Sequence, residues 1–133
     1  MRSLFESNTK VSFDGSVFKN MRNTAVEILR NTEKAQYVQC IILFSSKEKK
    51  YAITIKNALS TERAEEESLL ERLKKVEDTE IKYVLCMWQD GCIDIPSHDF
   101  RKKLCDLNPK NYKSLLFVTT KKEVSVKELS KTI

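Results

Sequence analysis

Apolar positions along this 133-residue chain fall into short runs whose period changes from helix-like to strand-like and back. Val17, Phe18, Met21, Ala25, Ile28 and Leu29 recur at three- and four-residue spacing. That spacing predicts an amphipathic helix through Arg30, entered at the turn Asp14-Gly15-Ser16. Residues 37–44 (YVQCIILF) are β-branched and apolar, and the second half is continuous, as in a strand covered on both faces. After a charged turn at 45–50, Tyr51, Ile53 and Ile55 alternate with other residues, which predicts a second strand and hence a hairpin closed by Asn57.

Ser60 or Thr61 can cap the next helix. Glu62, Glu65, Glu66 and Glu67 crowd its first turns and Arg72, Lys74 and Lys75 its end, the polarity a helix dipole favours. Leu69, Leu70, Leu73 and Val76 form its apolar stripe. Residues 81–88 (IKYVLCMW) predict a central strand, and 89–91 (QDG) a turn. Ile95 precedes Pro96, which disfavours helical geometry there. Ser97 caps a short helix through Leu107, with Phe100, Leu104 and Leu107 facing inward, and Asn108-Pro109 stops it. Residues 114–120 predict a fourth strand, and Ser125 with Glu128 forms a capping box for a last helix. The fold class expected is a single-domain three-layer α/β sandwich of order α-β-β-α-β-α-β-α. Its mixed sheet opens with an antiparallel hairpin and continues with parallel strands joined through helices. Residues 1–12 are expected to form an N-terminal arm and 13–133 the α/β domain.

Composition narrows what such a body can do. Gly and Pro number two each, too few for a glycine-rich phosphate loop or a turn-dense all-β design. The net charge of +5 is uneven. Residues 1–60 carry ten Lys/Arg against five Asp/Glu, residues 61–80 four against eight, and residues 81–133 ten against six. An acidic helix therefore separates two basic flanks. No apolar run is long enough to cross a bilayer, and residues 1–10 lack the apolar core of a leader peptide. A cytoplasmic or nuclear location is expected, with no membrane partner. Cys40, Cys86, Cys92 and Cys105 form no C-x-x-C pair and are expected to be reduced thiols.

Cys86, Cys92, His98 and Cys105 recur at spacings of six, six and seven, which matches no common structural zinc pattern, so neither metal nor cofactor is expected. Cys92 and His98, flanked by Asp94 and Asp99, are the one place where a nucleophile and the only histidine could act together. The segment 89–96 (QDGCIDIP) follows the predicted central strand at its carboxyl edge, where ligands bind in open α/β sheets. It brings Trp88, Asp90, Asp94 and Ser97 into one neighbourhood. Lys47, Lys49 and Lys50 share the hairpin turn. Arg101, Lys102 and Lys103 share the third helix, and Lys110, Lys113, Lys121 and Lys122 lie near the last strand. With Tyr51, Tyr112 or Trp88 as stacking faces, these are candidate contacts for nucleic acid or another anion.

Two further sites carry a family likeness. The second helix opens on Arg63-Ala64-Glu65, and the third on Pro96-Ser97-His98-Asp99-Phe100. With the order helix, hairpin, helix, strand, helix, strand over residues 16–120, the chain resembles the cytidine-deaminase-like fold. That family places H-A-E or C-A-E at the first point and P-C-x-x-C at the second, holding zinc with the His or Cys and two Cys while the Glu moves protons. The resemblance carries over Glu65 and Pro96. It also puts Arg63 at the first ligand position and Ser97 and Phe100 at the two cysteine positions. A guanidinium cannot bind zinc, and neither a phenyl ring nor an ordinary hydroxyl replaces a thiolate. The function expected is a non-catalytic module of deaminase-like layout that binds a protein or a single-stranded nucleic acid. The alternatives are an enzyme with a site near Cys92, Asp94 and His98, and an actin-binding module.

Overall fold

A computed structural model describes residues 15–59, 63–119 and 122–127. Helix α1 (Gly15–Arg30) leads into β1 (Gln39–Ser45) and β2 (Lys50–Ile55). Helix α2 (Ala64–Lys75) precedes β3 (Ile81–Trp88) and the two-residue β4 (Ile93–Asp94). Helix α3 (His98–Leu107) and a 3₁₀ turn (Pro109–Lys113) lead to β5 (Leu115–Thr119) and β6 (Lys122–Ser125). The expected arm, the expected caps Ser60 and Thr61, and the last helix beyond Lys127 lie outside the described residues.

The sheet runs β2-β1-β3-β5-β6, with β4 paired to the end of β3. β1 is antiparallel to both β2 and β3, while β3 and β5, joined through α3, are parallel. β6 returns antiparallel on β5, a strand that the polar residues 122–125 did not announce. The continuous run in β1 is apolar because both its faces are covered. Cys40 and Ile42 pack with Phe18, Met21, Ala25 and Leu29 of α1. Ile41 and Leu43 pack with Leu69, Leu70 and Leu73 of α2 and Phe100 and Leu104 of α3. The three layers are therefore α1, the sheet, and α2 with α3.

Buried polar side chains fasten the loops. Asp78 is buried between α2 and β3, where one carboxylate oxygen accepts from Ser45 Oγ at 2.8 Å and Tyr51 Oη at 2.7 Å. Burial and this carboxylate both push the Tyr51 phenol above its ordinary range. Asp78 is delivered there by the end of α2, where the Glu77 amide donates to the Lys74 carbonyl and the Asp78 amide to the Leu73 carbonyl. This is a Schellman ending, and it puts Glu77 in the left-handed region, at φ 55. A side chain costs energy there and glycine does not. Glu77→Gly is expected to stabilise the fold by about 1 kcal/mol, raising Tm by roughly 3–5 °C in a calorimetric scan.

Candidate functional site

The end of β3 faces the starts of α2 and α3. Helix α2 begins at Ala64 with Arg63 at its N-cap, where no side chain caps the helix. Its guanidinium instead turns inward. Arg63 Nη1 donates to Glu66 Oε2 at 2.8 Å, and Nη2 donates to the Ala58 carbonyl. Glu66 is fully buried, and its other oxygen, Oε1, has no hydrogen-bond partner. Burial pushes the Glu66 carboxyl above the usual carboxylate range, opposed first by the Arg63 bond and charge and then by Lys103.

Helix α3 starts at the same place. Pro96 is buried, and Ser97 Oγ accepts from the Phe100 amide at 3.1 Å, so this hydroxyl caps the helix as its position predicts. The Phe100 ring is fully buried in the core cluster that contains Leu69, Leu70 and Cys86. Lys103 Nζ lies 2.5 Å from Glu67 of α2 and 3.2 Å from Asp99 of its own helix, so an ion-pair chain joins the two helix starts. Cys86 lies beneath them. Burial, with Asp94 adding to it, drives this thiol far above its ordinary range, while Arg63 pulls the other way. Cys40, on the α1 side of the sheet, is pushed up to about 12 by burial alone. Both thiols are packed as small apolar groups and are poor nucleophiles.

The residues singled out in 89–98 share this end of the sheet but not one pocket. Trp88 Nε1 donates to Asp94 Oδ2 at 2.9 Å, and Asp94 Oδ1 accepts from the Ile95 amide at 2.7 Å. The turn between β3 and β4 is closed by the Gly91 amide on the Trp88 carbonyl, with Gly91 at φ 96. Asp90 lines a separate cavity on the α1 side, with Leu29 and Met87. Cys92 is exposed, and its amide donates to Asp90 Oδ1 at 2.9 Å. The Asp90 carboxylate raises the Cys92 thiol, the opposite of what an attacking thiolate needs. His98 lies in a different cleft with Arg101, Lys102, Cys105, Tyr112 and Val126. No hydrogen bond joins it to Cys92 among the described residues.

Glu65, the residue carried over by the motif, is half-buried, whereas the next residue, Glu66, occupies the interior. Its signal was present in the spacing. Glu66, Leu69, Leu70 and Leu73 follow i, i+3, i+4 and i+7, so the apolar stripe of α2 begins with a carboxylate. The basic clusters also separate. Lys47 Nζ donates to the Glu77 carbonyl at 2.8 Å, and Lys50 Nζ donates to Asn20 Oδ1 at 2.7 Å and Thr24 Oγ1 at 2.8 Å. Lys49 is exposed on the same turn. That turn adjoins the start of β3, because Ser45 pairs with Ile81, while the α3 start adjoins the end of β3, because Asp94 pairs with Cys86.

Two mycobacterial enzymes share this arrangement of layers. Cytidine deaminase from Mycobacterium leprae superposes with a TM-score of 0.63 at 16% identity, covering 84% of this chain and 95% of that one. Cytidine deaminase from Mycobacterium tuberculosis gives 0.63 at 10% identity, covering 84% and 92%. This chain has the cytidine-deaminase-like fold. No family model and no curated protein matches its sequence.

The deaminase-like fold implies a zinc ion between the starts of α2 and α3, and the side chains here do not fit one. Arg63 brings a permanent positive charge that is already paired with Glu66. The Ser97 hydroxyl is engaged in capping α3, and Phe100 offers only carbon. Among the described residues, no three His, Cys, Asp or Glu side chains form a group that could hold a metal ion. The zinc-ligand positions of the deaminase-like fold are not retained. No helix among the described residues is long and apolar enough to cross a membrane.

Proposed function

We propose that this chain is a binding module built on the deaminase-like fold, without the hydrolytic chemistry of zinc deaminases. One observation carries this reading. Arg63, at the first ligand position, is held in an internal ion pair with the fully buried Glu66, at 2.8 Å. A zinc deaminase needs three ligands and an open fourth position for water, with a carboxylate free to exchange protons. Here the first ligand position is a guanidinium committed to Glu66, and Phe100 occupies another ligand position with a ring locked into the core.

Metal analysis and turnover test this together. Protein purified without chelators is expected to carry less than one tenth of an equivalent of zinc. With cytidine, deoxycytidine or a cytosine-containing oligonucleotide and added zinc, no ammonia release above the protein-free control is expected. Stoichiometric zinc, or turnover abolished by Glu65→Gln, would overturn the reading.

A further inference from the structure

Two adjoining clefts are strongly basic; the first opens away from the deaminase-like site, and the second reaches His98 at the start of α3. The first, of about 510 Å³, opens where β3 and β5 begin, and Lys82, Lys110, Lys113 and Lys127 line it. The second, of about 370 Å³, runs beside α3 and is lined by Arg101 and Lys102. Tyr112 lines both, and it is 40% exposed. Glu80 is the one acidic residue among the lining side chains. Six Lys/Arg against one Glu is far from the ratio of the whole chain, 24 against 19.

Among the described lining residues, the positive charge of these clefts meets one carboxylate, that of Glu80. Lys103, one helical position away, is held by Glu67 and Asp99, while Lys47 donates to the Glu77 carbonyl and Lys50 to Asn20 and Thr24 of α1. Among the described residues, Lys82, Lys102, Lys110, Lys113 and Lys127 have no ion-pair partner. Concentrating like charge around a concavity opposes folding, and an anionic ligand relieves it. The 3₁₀ turn that presents Lys110, Tyr112 and Lys113 is rigidly placed, because fully buried Asn111 fastens it from inside with bonds to Ile81, Thr79 and Leu104.

From this arrangement we infer that Tyr112 and its flanking lysines bind single-stranded nucleic acid. The inference rests on the binding-module reading and names its partner class. Lysines on both sides of one exposed ring suit a strand that stacks a base on tyrosine and passes phosphates into each cleft. An acidic peptide would use the charges but leave the ring without a flat partner.

Fluorescence anisotropy with a fluorescein-labelled ten-nucleotide oligouridylate, from 50 to 300 mM KCl, tests it. Saturable binding is expected, with log affinity falling against log salt at a slope of about −3, as for roughly four neutralised phosphates on a single strand. Tyr112→Ala is expected to weaken binding about tenfold while Tyr112→Phe keeps it. Lys110→Glu with Lys113→Glu is expected to weaken binding and flatten the slope by roughly one unit per lysine. Lys19→Glu on α1 should bind as wild type, and melting curves check that each variant is folded. Absence of saturable binding, wild-type affinity in Tyr112→Ala, or displacement by poly-glutamate as readily as by unlabelled oligonucleotide would each overturn the inference. Zinc content and cytidine turnover of the same preparation keep the two proposals separable. Failure to bind the strand by a zinc-free, inactive protein overturns this inference alone.

Discussion

Arg63→Met is expected to lower folding stability by about 3–5 kcal/mol at pH 7, the cost of removing one partner from a buried ion pair. The reason lies in Glu66, whose carboxyl is fully buried and whose second oxygen already lacks a partner. With the guanidinium gone, the Lys103 charge is what remains among the described residues to oppose burial, and Lys103 is already engaged by Glu67 and Asp99. The effect depends on pH with a definite sign. Burial holds the Glu66 carboxyl above its unfolded value of about 4.3, so the folded state favours the protonated form. That contribution is fully present below the unfolded pKa and is lost as pH rises through the folded one. Removing Arg63, which pulls the value down, widens this window. Urea unfolding should therefore show a large deficit at pH 7 that shrinks at pH 4.5. An equal deficit at both values would mean that Glu66 does not carry the effect. Arg63→Met combined with Glu66→Leu should recover most of the loss, because two apolar groups of similar size leave no uncompensated charge.

Asn111→Ala is expected to cost about 3 kcal/mol, since each buried polar group left unsatisfied costs about 1–3 kcal/mol. Asn111 Oδ1 accepts from the Ile81 amide at 2.8 Å, and Nδ2 donates to the Thr79 and Leu104 carbonyls, both at 2.9 Å. One side chain thus joins the end of α3, the start of β3 and the 3₁₀ turn. Asn111→Asp should be no better, because a carboxylate cannot donate to the two carbonyls and would be a buried charge. Chemical denaturation of both variants at pH 7 measures this. A loss below 1 kcal/mol for the alanine variant would show that water replaces the amide. Because the same turn carries Tyr112, the loosened variant should also bind oligouridylate more weakly than its folded fraction accounts for.

Most of the layer arrangement was legible in local pattern. The three-to-four spacing of 17–29, the doubly covered run in 37–44 and the Ser97 cap each correspond to a structural element with nearby bounds. These are signals written over a few residues, where period and capping chemistry act directly. β6 was not legible, because its residues 122–125 are an edge segment held by pairing with β5 rather than by an apolar pattern.

By itself, the sequence determined the layers, the deaminase-like order of elements and the absence of thiolates where that fold would hold zinc. Each follows from residue identity and short-range spacing. Only the tertiary structure decided which of the neighbouring glutamates enters the interior, that Arg63 turns inward to meet it, and that Asp90 and His98 face different cavities. It also decided that Lys82, Lys113 and Arg101, far apart in the chain, share one basic surface around Tyr112. Charge and burial depend on what the sheet brings together, and strand pairing across 30 residues or more leaves little trace in local pattern.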